Sequence, residues 1–438
     1  MIVFNPVVLS VLVLVVLSLL RVNVIFALLV AAIVGGLSAG LPLGDTATIL
    51  VGGLGGQGET ALSYILLGVL AVMIARSGVT GFLIRGAMPL MRGKKSIVLF
   101  TIAALACLSQ NLIPIHIAFI PILIPPLLAV FNKMKVDRRA IATALTFGLK
   151  APYMLIPFGF GFLFQDIIFK EMKGNGLDIP FSQIPLAMAI PVGGMVLGLI
   201  FAILVTYRKP RDYKDIETEF TMDDTDTTTS GEKWQWKHNV TLLALLVTVV
   251  VQVIYDSLVL AALGGILVMF IFRAEKWKNG DIITEGGVKM MGMIAFVMLI
   301  ASGYASVLKE TGSVDELVET ASTWIGGNQL LAAVVMMSVG LVVTIGIGTS
   351  FGTIPVIAAI FVPLGTSLGF SALAITSLIG TAGAIGDAGS PASDSTLGPT
   401  SGLNVDGQHH HIWDTCVPTF LHYNIPLFIF GIVAAMIL

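Results

Sequence analysis

Charged side chains are scarce, forming 11% of the 438 residues against 56% hydrophobic ones, where a soluble domain carries about a quarter. A mean hydropathy of +0.95 over the whole length leaves no room for a large soluble domain. The 24 lysines and arginines nearly balance the 26 acids, so no basic face for nucleic acid is expected. Cysteine is limited to Cys107 and Cys416, each in or beside an apolar stretch, with no CxxC; both read as small core residues and not as a disulfide framework. No serine-hydrolase elbow (G-x-S-x-G), H-E-x-x-H or P-loop is read in the chain, so neither hydrolysis nor an ATP-driven pump is expected. No nucleophile pairs with a base along the chain, so neither an enzyme nor a cofactor is expected.

What remains is apolar sequence in stretches long enough to cross a bilayer, about 20 residues each. They are continuous and not alternating, which favours helices over a barrel. The N-terminus, MIVFNPVVLSVLVLVVLSLLR, has no basic leader and no small-residue cleavage site, so it reads as a first span and not a signal peptide. Expected spans are 6–20, 23–40, 61–76, 139–169 and 181–206, then 239–254, 257–272, 289–308, 370–400 and 415–437. Each half also holds an apolar stretch interrupted by polar residues: 96–131, broken at Ser109 to Pro114, and 329–368, broken at Gly348 to Thr353. Each is a re-entrant hairpin or a pair of spans. Residues 207–238 are the one strongly polar stretch and read as a solvated linker, too short for a domain.

The two halves keep register. Asn5 falls on Asn239, Gly52-Gly53 on Gly286-Gly287, Gly78 on Gly312, Gly93 on Gly327, Pro121 on Pro355 and Pro157 on Pro391. These residues mark special backbone geometry, so the agreement points to an internal duplication: a first repeat at 1–206, the linker at 207–238 and a second repeat at 239–438. Five spans per half is an odd number, which inserts the second copy upside down. Arg21, Arg76, Arg85, Arg92, Lys94, Lys95, Lys133, Lys135, Arg138, Arg139, the linker cations, Arg273, Lys276, Lys278 and Lys289 then share one side; only Lys170, Lys173 and Lys309 fall on the other. Basic residues collect on the cytoplasmic side. The expected fold is therefore an all-α membrane protein of the inner membrane, with two inverted repeats of five transmembrane helices and one hairpin each, termini outside and linker inside. Inverted repeats with interrupted helices are the architecture of secondary transporters, though channels share it.

Irregular backbone at membrane depth survives only where it is buried in protein or lines a wet cavity. Four such points stand out: the hairpin tips Ser109-Gln110-Asn111 and Thr349-Ser350-Phe351-Gly352-Thr353, and the helix breaks Lys150 through Pro157 and Gly386 through Thr396. Broken helices offer N–H groups to anions and carbonyls to cations, and the neutral oxygens at the tips suit a hard cation. Asp387 and Asp394 are intramembrane carboxylates, which mark an ion or proton path; Asp394 alternatively caps the following helix. Lys150 lies about 16 Å into its span at helical rise. It pairs with Asp387, stands in for a bound cation, or holds a substrate carboxylate; a lysine reaching the cytoplasmic cavity is the plainer reading. His116, matched to Ser350, is a proton sensor or an internally hydrogen-bonded histidine. His409-His410-His411 resembles a metal tract, but adjacent histidines point apart. Trp413 reads as an interfacial anchor.

Gly386 to Phe420, GDAGSPASDSTLGPTSGLNVDGQHHHIWDTCVPTF, resembles the signature of the NhaC-type Na+/H+ antiporter family of the ion transporter superfamily. Its specific core is Ser390-Pro391-x-Ser393-Asp394-Ser395-Thr396. The first-half stretch SQNLIPIHIAFIPILIPPLL is similar to the branch that includes proteins named as amino-acid and histidine permeases. The resemblance covers nearly the whole chain. It implies a scaffold domain, a transport domain with two hairpins and two broken helices, elevator-type movement and a homodimer. The function expected is Na+- or H+-coupled uptake of a small, histidine-like amino acid; the rivals are Na+/H+ antiport and a passive ion channel. Solute contacts are expected from Ser109, Gln110, Asn111, His116, Lys150, Tyr153, Thr349, Ser350, Thr353, Ser390 and Ser393. Ion coupling is expected at Asp387, Asp394, Ser395 and Thr396, with Na+ held at Asn111, Ser350, Asp387 and Asp394.

Overall fold

The computed structural model describes residues 5–20, 22–79, 94–111, 119–157, 160–214, 216, 234–255, 257–313, 316 and 327–438, and these are helices and loops throughout. The first half contains α1 (Pro6–Leu19), α2 (Val24–Ser38), α3 (Leu43–Gly53), α4 (Gly58–Ser77), α5 (Lys95–Asn111), α6 (Phe119–Lys133), α7 (Arg138–Leu155), α8 (Phe160–Gly174) and α9 (Ile184–Phe201). The second contains α10 (Trp236–Tyr255), α11 (Leu258–Ile271), α12 (Gly280–Glu310), α13 (Gln329–Ile347), α14 (Ser350–Ser367), α15 (Ala372–Ile385), α16 (Asp394–Leu403) and α17 (Ile425–Ile437). Among the described residues seven helical runs are long and apolar enough to cross a membrane, or nine if each of two bent pairs is one span.

Local chemistry sets the helix starts. Asn5, Asn23, Asp137 and Ser371 each accept a backbone N–H of the helix they precede, and Pro6 opens α1, satisfying donors that the first turn leaves free. The starts Val24, Lys95, Arg138 and Phe160 stand in the same register as Leu258, Gln329, Ala372 and Asp394. Left-handed residues recur in step as well: Gly78 (φ +81) with Gly312 (φ +66), and Lys135 (φ +52) with Gly369 (φ +77).

The helices pack into two interleaved groups. α1–α4 and α10–α12 contact one another, and α5–α9 contact α13–α17. In the first group α4 crosses α12 at two glycines. A methyl built on Gly68 would lie 2.7 Å from the Gly287 carbonyl oxygen, and one on Gly287 would lie 2.5 Å from Val69 N. Such small residues let helices approach in a medium with no hydrophobic drive between them.

The structure changes five expectations. The span placed at 61–76 is the end of a longer run, Leu43–Ser77, and that placed at 289–308 is part of a 31-residue helix. The break placed from Lys150 is later: α7 continues through Pro152 to Leu155, and the 47° bend to α8 follows Ile156-Pro157. Lys150 and Tyr153 therefore sit on regular helix. The second interrupted stretch is open only at Gly348 (φ +77) and the extended Thr349, because α14 begins at Ser350; α14 itself bends by 48° after Ala358, where Pro363 denies Ala359 its helical N–H partner.

The last change concerns the linker, whose described part is not solvated throughout. Tyr207 is buried, and the Arg138 guanidinium lies 4.4 Å over the Tyr213 ring. Lys214 N donates to Gln408 Oε1 at 2.8 Å while Gln408 Nε2 donates to Lys214 O at 2.7 Å. Arg138 closes this clasp with a bidentate pair to Asp406, at 2.7 and 2.6 Å, and also donates to the Leu403 carbonyl at the end of α16. Burial works against the charge on Asp406, but the Arg138 guanidinium outweighs it and holds the carboxyl below its ordinary range.

Candidate functional site

The centre of the second group is a knot of polar side chains around Asp387. After α15 the chain makes a 3-10 turn, Asp387–Gly389, then runs extended at Ser390, and Ser393 caps α16 by accepting Ser395 N. Asp387 thus sits at the break, where its backbone is not consumed by helix. Its Oδ2 accepts from Lys150 Nζ on α7 and from Ser350 Oγ at 2.7 Å and Ser350 N at 3.3 Å on α14. Its Oδ1 accepts from Ser393 Oγ. Tyr153 lies 2.9 Å from Ser350 Oγ, which already donates to Asp387, so the phenol is the donor there. The same phenol oxygen accepts from Lys150 Nζ at 3.4 Å. Side-chain exposures of 5% for Lys150 and 3% for Asp387 make this a dry ion pair. Phe164 and Phe351 pack on the Tyr153 ring, with centroids at 4.7 and 6.2 Å. Dry pairs hold because each charge is matched and hydrogen-bonded.

The predicted residues divide by role. Lys150, Tyr153, Ser350, Asp387 and Ser393 meet. Ser395 joins through its Oγ, 3.0 Å from the Asp387 carbonyl and 2.9 Å from Ser393 Oγ. Ser390 and Thr396 brace the break itself, with Thr396 Oγ1 donating to the Ser390 carbonyl at 2.6 Å. Asp394 stands half-buried in the first turn of α16, 3.4 Å from Ser393 Oγ. Thr353 turns back on its own helix, donating to the Thr349 carbonyl at 2.9 Å. The side chains of Ser109, Gln110 and Asn111, and the whole of His116, lie outside the described residues.

A cavity of about 460 Å³ opens beside the knot, between the two helix groups. Gln57, Ser302, Ser306 and Lys309 line it from the first group; Gly348, Thr349, Phe351, Gly352 and Ala392 line it from the second. It therefore reaches both irregular stretches of the second half, the Gly348-Thr349 opening and the α15–α16 break. The four first-group residues were not expected at a site. Lys309 counts as a loop charge in the sequence, and the serines are ordinary helix residues there; only the 3.6-residue spacing of Ser302, Ser306 and Lys309 on one face hinted at it.

Other motifs resolve locally. Gly348 to Gly352 does spell G-x-S-x-G, the serine-hydrolase elbow pattern, contrary to the expectation that no such motif occurs. Here it joins two helices and not a strand to a helix, and the described partners of Ser350 Oγ are Asp387 and Tyr153. The three histidines point apart: His409 Nε2 bonds Thr415 Oγ1 at 2.6 Å, His411 Nε2 bonds the Pro391 carbonyl at 2.9 Å, and His410 Nδ1 accepts Trp413 N at 3.4 Å. Among the described residues no group of three metal-ligand side chains comes together. Both cysteines are free.

Known proteins supply the remaining context. A family model described as "Na+/H+ antiporter family" matches residues 144–432, and a second, described as "Na+-H+ antiporter family", matches residues 5–91. An uncharacterized membrane protein of Vibrio parahaemolyticus is 52% identical, covering 99% of this chain and 100% of its own. The Bacillus subtilis protein named "Putative amino acid transporter YuiF" is 46% identical, again over 99% and 100%. Among solved structures, MtrF of Neisseria gonorrhoeae aligns with a TM-score of 0.42 at 14% identity, covering 90% of this chain and 85% of its own. The YdaH transporter of Alcanivorax borkumensis aligns with a TM-score of 0.41 at 15% identity, over 89% and 87%. On the family match and these near-full-length relatives, the chain belongs to the Na+/H+ antiporter family of membrane transporters.

Proposed function

We propose that this transporter couples Na+ or H+ to uptake of a small, histidine-like amino acid across the cytoplasmic membrane. The observation that carries the coupling is the Asp387 knot, a carboxylate held at a helix break by hydroxyls from two elements with a single lysine as its counter-charge. A cation reaching Asp387 must displace the Lys150 ammonium, or the ammonium must displace it, because the dry site tolerates one positive partner at a time. The hydroxyls of Ser350 and Ser393 and the carboxylate form an oxygen set for Na+, with Asn111 and Asp394 as further ligands; protonation of Asp387 would serve equally. The amino-acid assignment leans on the name of the Bacillus relative and on a cavity next to the ion site. Transport, and not catalysis, is the reading, with no resident cofactor.

The architecture proposed with it has two inverted repeats, 1–206 and 239–438, joined by the 207–238 segment. The shared register of helix starts and left-handed turns supports duplication. The two packing groups suit a scaffold (α1–α4, α10–α12) and a moving transport unit (α5–α9, α13–α17), with elevator-type displacement in a homodimer. The charge asymmetry supports outside termini and a cytoplasmic linker. The family name favours a second reading, Na+/H+ antiport with Lys150 as the internal counter-charge; a passive channel stands third.

Uptake of labelled amino acids into proteoliposomes, under imposed Na+ or pH gradients, tests the lead. Saturable uptake that follows one gradient is expected. No saturable uptake of any amino acid, together with Na+-driven proton movement read by an internal pH dye, would replace it by antiport. Conductance independent of any second gradient would replace both by a channel.

A further inference from the structure

The cavity between the helix groups carries charge chemistry of one sign. Its lining contains Lys309 and, among the described residues, no aspartate or glutamate. The Lys309 ammonium has no anionic partner among the described residues. It stands against the first turn of α14, since a methyl built on Gly352 would lie 3.9 Å from Nζ. That turn adds the positive end of an 18-residue helix, and Thr349, which makes no capping bond to it, faces the same space. Ser302 and Ser306 donate instead to backbone carbonyls, Gly53 O at 2.8 Å and Ser302 O at 3.0 Å, so they fill the wall without opposing an anion. Met298, Ala301, Ala305, Ile347 and Phe351 form the apolar remainder. Few convergent polar groups on an apolar wall is the make-up of a small-molecule site.

We propose that this cavity selects anions and receives the carboxylate of the transported solute, with Lys309 as its charge partner and Thr349 and the open turn of α14 completing the contact. The inference rests on the transport reading and deepens it: the solute's carboxylate is assigned to Lys309, on the first helix group, while Lys150 stays with Asp387. A solute held this way touches both groups at once, and the α14 turn that it meets is the one whose Ser350 binds Asp387. Solute and coupling ion would thus share one short helix start.

The test is the reaction of a cavity thiol with charged reagents. Purified full-length protein carrying Ser306→Cys is reacted with anionic sulfonatoethyl and cationic trimethylammonioethyl methanethiosulfonate, each rate normalised to a free thiol. The unsubstituted protein is read alongside to account for Cys107 and Cys416. The anionic reagent is expected to be favoured about fivefold or more, from one unit charge a few ångströms away in a partly aqueous site. Lys309→Gln removes the preference and Lys309→Arg keeps it. An unchanged ratio in Lys309→Gln, or no preference at the start, overturns the proposal; Ala305→Cys on the same wall is the second probe position should Ser306→Cys not fold. In proteoliposomes Lys309→Gln is expected to raise the KM of a transported amino acid about tenfold, the scale of one charge-assisted contact, and an unchanged KM overturns the carboxylate assignment. Should no amino acid be transported while the reagent preference holds, the amino-acid function fails and the anion-selecting cavity stands.

Discussion

The knot around Asp387 and the cavity at Lys309 treat a lysine in opposite ways. Lys150 is dry, and its ammonium is spent on Asp387 with the Tyr153 hydroxyl beside it. Lys309 is exposed to a cavity and meets no acid among the described residues. A matched buried charge is costly to disturb, which suits a site that admits one specific cation in exchange. An unmatched solvated charge costs little to leave empty, which suits a site that fills and empties with solute. The two regions lie on either side of one helix start, Ser350 facing the knot and Gly352 facing the cavity. The proposed division of labour between ion and solute rests on that geometry.

The largest effect is expected from Asp387→Asn. The amide keeps the shape but leaves the Lys150 ammonium buried without a counter-charge, which costs about 3–5 kcal/mol. Coupled transport should fall at least a hundredfold while protein still reaches the membrane. The double variant Lys150→Met with Asp387→Asn removes both charges, so most of the lost thermal stability should return while coupling stays absent. Melting curves of the four proteins in the cycle isolate the pair. Normal coupling in Asp387→Asn would remove the knot from the transport cycle altogether.

A smaller effect comes from a second buried ion pair away from the knot. Arg138→Met strands Asp406 and releases the linker clasp, lowering stability by about 3 kcal/mol but leaving the cation requirement of transport unchanged. Coupling lost there as well would mean that any buried pair in this unit matters, and the contrast drawn for Asp387 would dissolve. The pH dependence separates the cases. The Asp406 carboxyl is depressed in the folded protein, so its contribution is fully present above the unfolded carboxylate value, near pH 4. It is lost only as pH falls through the lower folded-state value. The melting-temperature gap between the parent and Asp406→Asn should therefore stay level from pH 7 to about pH 4 and close below that.

The helical fold was legible because apolar length and special residues are local signals. The apolar stretches announce the helices, and the glycines and prolines in register announce turns and breaks. The membership of the knot was partly legible too, because a deep lysine and a deep aspartate in an apolar chain have few partners other than each other. The position of the first break was not. Pro152 looks like a helix breaker, but α7 carries it within its last turn and ends three residues later at Leu155, capped by the extended Ile156, whose N–H bonds the Pro152 carbonyl at 2.7 Å. The linker misled by composition: Arg211 and Tyr213 read as solvated polar sequence and are in fact clamped by Asp137, Arg138 and Asp414 across long sequence distances, and Tyr207 is buried with Arg139 over its ring. Apart from the helical spacing of Ser302, Ser306 and Lys309, the cavity residues gave no signal, because Gln57 and Ser302 line one space only through the packing of α12 against the start of α4.

The smallest effect, and the finest test of the comparison, is Tyr153→Phe. The ring keeps its packing on Phe164 and Phe351, so the dry enclosure of the pair survives. What is lost is one hydrogen bond donated to Ser350 and one long contact accepted from Lys150. Neutral bonds of this kind contribute about 1 kcal/mol, a few degrees or less of melting temperature in a chain of this size. Ser350 Oγ still donates to Asp387 without the phenol, and Lys150 keeps its carboxylate, so the cation dependence of uptake should shift by no more than a few-fold. Should Tyr153→Phe abolish coupling as completely as Asp387→Asn, the hydroxyl would itself handle the coupling ion or proton. The knot would then be a relay running from Tyr153 through Ser350 to Asp387 and not a carboxylate with a tethered counter-charge.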